Sequence, residues 1–272
     1  QPLVELSSSA DTWAMSGVLL KEHTTSTVGR AFALNHLPSI RTRFYSALAL
    51  NPPVGGINPC AVESALRAGV DVIYFPTYGA KNHITIWGAG KPPTAFPLPT
   101  RGYEGLSIFE KNGKIKQECR TIAELIVQHD AVMATGHISP DESLALLRLG
   151  REKGVKRFIV THASEPVTFM SMEQQKEAVE LGAFIEHCFF SVTESCPGNV
   201  TLPEIAGQIR EIGVPHCILS SDLGQPANGP VFEGFAHYLK ELAKMGFSDA
   251  EIDTMIKKNP RRFLGEKPRT CR

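Results

Sequence analysis

The sequence lacks the features that mark several classes of protein. Its 28 basic and 28 acidic residues cancel, so it has no net charge to attract nucleic acid or an anionic membrane. It contains no run of about 18 apolar residues and no basic-then-apolar leader, so neither a membrane span nor an uncleaved signal peptide is expected. We therefore expect a small-molecule substrate, no nucleic acid and no membrane. Whether identical subunits assemble stays open.

The six cysteines also lack a pattern. None forms a CxxC pair, and several fall inside predicted helices or strands. Scattered thiols of this kind favour a cytoplasmic protein over a disulfide-bonded one, and we interpret them as structural. The sequence begins with Gln1 rather than Met, and we expect further residues to precede it.

What the sequence does contain is a repeat of strand and helix, clearest from Ala131 to Ser164. The strand AVMATGH ends at His137, and Ser139-Pro140-Asp141-Glu142 is a capping box that begins a helix. That helix ends at Gly154, and the next strand, RFIVTH, ends at His162. Neighbouring parallel strands lie about 4.8 Å apart, so histidines at their ends can bind one metal ion.

The same unit recurs along most of the chain. Strands are predicted at 15–23, 43–51, 70–77, 131–137, 157–162, 183–190 and 216–222. Helices are predicted at 3–14, at 26–37, from Asn58 to before Gly69, from Thr121, from Ser139 to Gly154, from Ser171 to Gly182, from Thr201 to Gly213, and at 231–245 and 249–258, where Asn259-Pro260 stops the last one. This alternation predicts an α/β fold, the (β/α)8 TIM barrel, as one domain over 1–272. A doubly wound open sheet is the alternative, but no glycine-rich phosphate turn follows the first strand.

One connection is longer than the rest. The 60 residues between Thr77 and His137 are twice the repeat, so we place an insertion at about 78–120. It holds a proline-rich loop at 90–99 and a predicted hairpin that turns at Asn112-Gly113. Because long loops on such scaffolds usually shape substrate pockets, we expect the insertion to fold over the barrel mouth and to bring His83 or Arg101 near the site.

The predicted strand ends carry the residues that chemistry would need. Barrel enzymes place their chemistry at these ends, where His23, Asn51, His137, His162, His187 and Asp222 all fall. Neutral imidazole and carboxylate are ligands for zinc, manganese or iron, and a catalytic ion needs about three of them with one position left for water.

We therefore predict a divalent metal, zinc first, on His137, His162 and Asp222, with Asp222 also the catalytic proton shuttle. His187 and His23 are predicted as further ligands, although on a strand only one of Glu186 and His187 points into the barrel. Lys21, which shares a face with His23, is predicted to contact substrate, as are Asn51 and His83.

At ATGHIS, VTHAS, SSDLG and NPRRFLG the chain resembles the amidohydrolase superfamily of metal-dependent barrels, in particular its phosphotriesterase-like members and an uncharacterised amidohydrolase-like family. The resemblance implies that His137 and His162 are ligands and that Asp222 is both ligand and base. It also implies a first strand ending in His-x-His, which this sequence does not contain. We expect about 20 or more residues before Gln1 to carry that strand, since a barrel lacking one strand cannot close at the same radius.

Together these patterns predict a metal-dependent hydrolase. Metal-bound hydroxide would attack a small ester, lactone, amide or phosphoester. Decarboxylation or hydration on the same ligands stays open, as does a non-catalytic barrel, because the His-x-His pair is absent. The number of ions, one or two, is also open.

Overall fold

The computed structural model describes residues 2–88, 104–225 and 228–265. Its seven strands are β1 (Gly17–Leu20), β2 (Arg43–Ala49), β3 (Val72–Tyr74), β4 (Val132–Ala134), β5 (Phe158–Val160), β6 (Ala183–Cys188) and β7 (Cys217–Ser220). The α-helices are α1 (Leu3–Thr12), α2 (Val28–Asn35), α3 (Pro59–Arg67), α4 (Lys81–Trp87), α5 (Gln117–Gln128), α6 (Pro140–Lys153), α7 (Met172–Glu180), α8 (Leu202–Ile212), α9 (Val231–Lys244), α10 (Asp249–Asp253) and α11 (Asn259–Leu264).

The strands form one curled parallel sheet in which each strand pairs with its neighbours in the chain. The order is β1-β2-β3-β4-β5-β6-β7, with registers such as Leu19 opposite Tyr45 and Ile73 opposite Met133. A doubly wound sheet would reverse its strand order at a switch point, and this sheet does not. Among the described residues, β1 pairs only with β2 and β7 only with β6. The prediction of a (β/α)8 barrel that lacks one strand in this chain is confirmed.

Side chains alternate between the inside of the curled sheet and the helices outside it. Inward residues form one apolar cluster that includes Ala47, Tyr74, Ala134, Ile159 and Ile218. The residues between them, such as Leu48, Met133 and Leu219, join the larger outer core with α3, α5, α6 and α8. This period of two decides which polar residues near the strand ends face the barrel interior.

Most helices begin where the sequence predicts. The side chains of Ser139, Ser171 and Thr201 each accept the backbone N–H of the third helical residue in a complete capping box, and Asn58 caps α3. Two predictions are wrong. Thr121 does not open a helix, because α5 begins at Gln117 and the Thr121 hydroxyl donates to the Gln117 carbonyl inside it. Asn259-Pro260 does not end the last helix, because proline is tolerated at the first turn of a new segment, α11.

The insertion begins with α4 on the barrel mouth and returns through two isolated bridges. Ala80 pairs with Leu106, and Phe109 pairs with Ile115 across the predicted Asn112-Gly113 turn. The loop 90–99 and Arg101 lie outside the described residues. In the part of the chain that the structure describes, no helix is long and apolar enough to cross a bilayer.

Candidate active site

The carboxyl ends of β5 and β7 bring His162 and Asp222 together. His162 Nε2 lies 3.6 Å from Asp222 Oδ2, and the ring of His137, from the end of β4, lies 5.4 Å from that of His162 between centroids. The three residues that the sequence predicts as ligands therefore lie side by side in the mouth. Their role as ligands stays a prediction.

His162 and Asp222 also share an unusual backbone conformation. Their φ angles are +52° and +48°, in the left-handed region that residues with a Cβ rarely adopt. At His162 the backbone is held there by the Glu165 N–H, which donates to its carbonyl at 2.9 Å, and by Glu186 Oε2, which accepts its N–H at 3.3 Å. Ala14 and Asp130, which follow α1 and α5, adopt the same conformation outside the mouth, so the φ angles matter here because they coincide with the converging side chains.

A lysine ammonium lies between His162 and Asp222. Lys21, just after β1, places Nζ 3.1 Å from His162 Nε2 and 3.4 Å from Asp222 Oδ1, and 5.4 Å from the Tyr74 ring centroid. Lys21 faces inward because it lies two residues after Leu19, which packs on the inner cluster. The cluster thus already contains a positive charge.

His137 is backed by a second histidine. His83, from α4, is fully buried, and its Nδ1 lies 2.8 Å from Nδ1 of His137, so one ring donates and the other accepts. The Nε2 atom of His137 is buried and has no hydrogen-bond partner among the described residues. The insertion therefore reaches the cluster through His83. Because His83 is buried against His137, it does not face an open pocket.

The other nitrogen of His162 faces a different set of groups. Its Nδ1 lies 2.7 Å from Cys188 Sγ, 3.3 Å from Glu186 Oε2 and 3.8 Å from Glu165 Oε1. Because the Lys21 ammonium adjoins Nε2, a neutral ring carries its hydrogen on Nδ1, toward these groups. Burial lowers the pKa of His162, and the carboxylates of Glu165, Asp222 and Glu186 raise it by more.

Opposite charges keep Asp222 and Lys21 ionised. Burial would raise the pKa of Asp222, but the Lys21 ammonium and His162 lower it by more. Burial would lower the pKa of Lys21, but the carboxylates of Asp222 and Glu186 raise it by more. Glu165 is different, because burial raises its pKa to about 7 against the pull of His162. It can therefore accept or release a proton near neutral pH.

The remaining histidines of the mouth are neutral. Burial lowers the pKa of His137 well below its usual range, helped by His83, and it lowers the pKa of His83 to about 4. Burial and the Lys21 ammonium lower the pKa of His23 to about 3. The His23 ring lies 6.5 Å from that of His137, and its Nδ1 lies 2.8 Å from the Thr77 hydroxyl. Neutral imidazoles are the form that binds metals.

Two predicted site residues lie elsewhere. His187 points away from the mouth, because Glu186 takes the inward position on β6, and its Nδ1 contacts Ser164 Oγ at 2.8 Å in the outer layer beside α8. It does not join the other predicted ligands in the mouth. Asn51 is fully buried and its amide is saturated: it donates to His23 O and Thr77 Oγ1 and accepts the N–H groups of Thr77 and Gly79. It therefore joins strand ends and is not free to contact substrate.

The donor types of the mouth fit a divalent cation. His137 offers an unpartnered buried nitrogen, and His162 and Asp222 offer a second nitrogen and a carboxylate. Only two sets of three donors lie within 4.8 Å of one another among the described residues: His162, Glu165 and Asp222, and His162, Glu186 and Cys188. A cation between His162 Nε2 and Asp222 would have to replace the ammonium of Lys21 there.

Three residues of this cluster were not foreseen from the sequence. Glu165 lies in the loop after β5, three residues beyond His162, where no periodicity applies. The sequence offers Glu186 only as the alternative to His187 on β6, and Phe184, two residues earlier on the inner face, decides that Glu186 faces inward. Cys188, one of the cysteines that the sequence predicts to be structural, shares that inner face.

Sequence comparison identifies a family without a known function. Residues 2–186 match the model of DUF6282, described as a family of unknown function. This range includes Lys21, His137 and His162 and stops before Asp222. No curated protein matches the sequence.

Comparison with solved structures finds proteins of the same fold, one of them named as an amidohydrolase. An amidohydrolase from Pseudomonas aeruginosa superposes with a TM-score of 0.59 at 12% identity, over 96% of this chain and 82% of its own. A TatD homologue from Escherichia coli gives 0.58 at 14%, over 97% and 92%, and a protein from Pseudomonas putida named as a 2-pyrone-4,6-dicarboxylic acid hydrolase gives 0.57 at 12%, over 98% and 89%. At these identities the likeness concerns the fold alone.

Proposed function

The chain belongs to the DUF6282 family, and we propose that it is a hydrolase that uses a divalent cation at the mouth of its barrel. One observation carries this proposal: His162 and Asp222 meet at 3.6 Å at the carboxyl ends of their strands while both hold a left-handed backbone. Strained residues that converge at this end of a parallel barrel are expected to serve chemistry and not stability. The names of the three structural neighbours, two of them hydrolases, agree with this class of reaction.

We assign the cation to His137, His162 and Asp222. The unpartnered Nε2 of His137 supports this choice, because a buried nitrogen with no hydrogen bond is costly unless something binds it. When bound, a zinc, manganese or iron ion would polarise the scissile carbonyl or phosphoryl group and lower the pKa of a coordinated water.

The side chains around the cation then move protons and stabilise charge. Asp222, which the positive charge beside it keeps ionised, would accept the proton of the attacking water. Glu165, whose pKa is about 7, gives a proton to the leaving group. The Lys21 ammonium, which the cation displaces from between His162 and Asp222, would then stabilise the negative charge that develops on the substrate oxygen.

The substrate class follows from the same groups. We propose a small ester, lactone, amide or phosphoester, because hydrolysis of each produces negative charge on an oxygen that Lys21 and the cation can stabilise. Decarboxylation or hydration would use the same ligands, and these reactions are tested beside hydrolysis.

The test is a chelation experiment with matched variants. Chelator-treated protein should lose turnover of esters, lactones, amides or phosphoesters, and zinc, manganese or iron should restore it. His137→Ala, His162→Ala and Asp222→Asn should each lower kcat/KM by about 100-fold or more while the circular dichroism spectrum is kept. His129→Ala is the control, because His129 ends α5 at the opposite face of the barrel and should leave kcat/KM unchanged.

Two outcomes would contradict the proposal. Activity that survives complete chelation would exclude the cation, and full activity in Asp222→Asn would exclude the assigned base. If the protein turns over a carboxylate or an alkene but none of the esters, lactones, amides or phosphoesters, its reaction is decarboxylation or hydration and not hydrolysis.

A further inference from the structure

His162 separates two sets of donor atoms. On its Nε2 side lie Asp222 and the ammonium of Lys21, which the proposed function uses. On its Nδ1 side lie the thiol of Cys188 at 2.7 Å and the carboxylate of Glu186 at 3.3 Å. The proposed hydrolytic mechanism uses neither Cys188 nor Glu186.

The Nδ1 set is built from adjacent strands and is buried. Glu186 and Cys188 occupy successive inward positions on β6, and His162 follows β5, its neighbour in the sheet. Cys188 is fully buried, and Glu186 is fixed by Ser220 Oγ, which donates to its Oε1 at 2.9 Å. The three ligand atoms lie within 4.8 Å of one another without any rearrangement of the backbone.

The carboxylates on the two sides of His162, Asp222 and Glu186, differ in the positive charge that lies beside them. On the Nε2 side the Lys21 ammonium lies 3.4 Å from Asp222. On the Nδ1 side, the described residues give Glu186 one ion-pair contact, with His162, whose ring is cationic only when doubly protonated; the Lys21 ammonium acts on Glu186 without such a contact. A cation that enters the cluster therefore meets less competition beside Glu186 and Cys188 than beside Asp222.

The donor chemistry selects the ion. A set of one thiolate, one imidazole and one carboxylate suits zinc and other thiophilic divalent ions, whereas magnesium, calcium and manganese prefer oxygen. We propose that Cys188, Glu186 and Nδ1 of His162 form a binding site for zinc or a similar thiophilic cation, separate from the site on the Nε2 side. On binding, the Cys188 thiol releases its proton to solvent, and the His162 hydrogen moves from Nδ1 to Nε2, which faces Asp222. The metal–sulfur and metal–nitrogen bonds then form as the ion gives up water ligands.

The two sites compete for one ring. A neutral imidazole has one lone pair, so His162 binds through Nδ1 or through Nε2 but not through both while it keeps one proton. An ion on Cys188 and Glu186 therefore removes His162 from the set that the proposed function needs. If the proposed function holds, excess zinc inhibits the enzyme through this site.

Cobalt titration tests the site without reference to activity. Cobalt(II) replaces zinc in such sites, and a thiolate ligand gives it a charge-transfer band in the near ultraviolet. Chelator-treated full-length protein should develop this band on titration, and zinc should abolish it. Asp222→Asn and Cys217→Ser should keep the band, because Cys217 is an equally buried cysteine on the outer face of β7. Cys188→Ser should lose it, and Glu186→Gln should weaken cobalt affinity at least about tenfold.

The outcomes separate this inference from the proposed function. Cobalt binding to the wild type without a thiolate band, or with a band that Cys188→Ser retains, overturns the site, as does a band that Asp222→Asn abolishes. The wild-type spectrum is decisive even if Cys188→Ser fails to fold. A band without any turnover leaves the site standing and refutes the hydrolase, whereas metal-restored turnover without a band does the reverse.

Discussion

At the scale of single residues, the mouth of the barrel keeps two side chains in contact at a cost to the backbone. A left-handed φ costs an L-residue roughly 1–2 kcal/mol, and both His162 and Asp222 bear it. The hydrogen bonds from Glu165 and to Glu186 hold His162 in this state. Glycine would adopt this conformation without the steric cost, so we expect the imidazole and the carboxylate at these two positions to serve chemistry.

The left-handed backbone of Asp222 predicts that two substitutions at this position differ in stability. Asp222→Gly should be more stable than Asp222→Ala by roughly 1 kcal/mol, because glycine adopts a positive φ without steric cost. Both variants should lack activity, since both lose the carboxylate. Thermal unfolding by calorimetry measures the difference, and equal melting temperatures for the two variants would show that the conformation of Asp222 is not strained.

At the scale of elements, the position of His137 after β4 depends on the glycine that precedes it. Gly136 has φ +67°, and an added Cβ would collide with the carbonyl of Phe75 and lie 2.6 Å from that of Pro76. The His137 N–H donates to that same Pro76 carbonyl at 2.8 Å. The close approach of β3 and β4 thus depends on the missing side chain.

Gly136→Ala should therefore destabilise the protein by about 1–3 kcal/mol and displace His137. Gly207→Ala is the matched control, because Gly207 is exposed in α8 with open space around it, and alanine should be neutral or stabilising there. Chemical denaturation measures both free energies of unfolding. A Gly136→Ala variant as stable as the Gly207→Ala variant would contradict the packing at this strand end.

The first helix is tied to the sheet by one carboxylate. Asp11 of α1 accepts the backbone N–H groups of Arg41 and Thr42 and the Thr42 hydroxyl, just before β2. The Thr42 hydroxyl is the largest of the effects that lower the pKa of Asp11 from 3.8 to about 2. A carboxyl whose pKa is lower in the folded state stabilises the fold above its unfolded pKa, and this contribution is lost as the pH falls through the folded value.

Asp11→Ala should lower the melting temperature most above pH 4, and the difference from wild type should shrink between pH 4 and pH 2. Glu5→Ala, which removes an exposed acid from the same helix, should have little effect at any pH. A difference for Asp11→Ala that stays constant down to pH 2 would mean that the carboxylate does not hold α1 to the sheet.

The elements were predictable where local chemistry decides them. Ser139, Ser171 and Thr201 begin helices because a capping box satisfies its own backbone groups. The prediction at Thr121 is wrong because the Thr121…Glu124 spacing of a capping box also occurs inside helices, and α5 begins earlier, at Gln117. In the site, His162 and Asp222 follow from the strand repeat. The contacts of Lys21 and Glu165 depend on how distant strand ends meet, which no local pattern encodes.

At the scale of the molecule, the site spans the open side of the sheet. Lys21 follows β1 and Asp222 follows β7, the two outermost strands, and their side chains meet at 3.4 Å. Apolar side chains also cover this region, since Leu20 of β1 packs with Ala10 of α1 and Phe232 of α9 in one cluster. Side chains can bridge the opening in this way, but they do not satisfy the backbone as a paired strand would.

The open side should be visible in the protection of backbone amides. Half of the N–H groups of Gly17–Leu20 and of Cys217–Ser220 face away from their only neighbour strand in the described structure. We expect these amides to exchange with deuterium faster than those of β3 and β4, which pair on both sides. Residue-resolved exchange by NMR provides the measurement, with the amides of β1 and β7 that face β2 and β6 as internal controls. Equal protection on both sides of β1 would mean that another backbone segment pairs there. A segment other than these seven strands would then close the barrel.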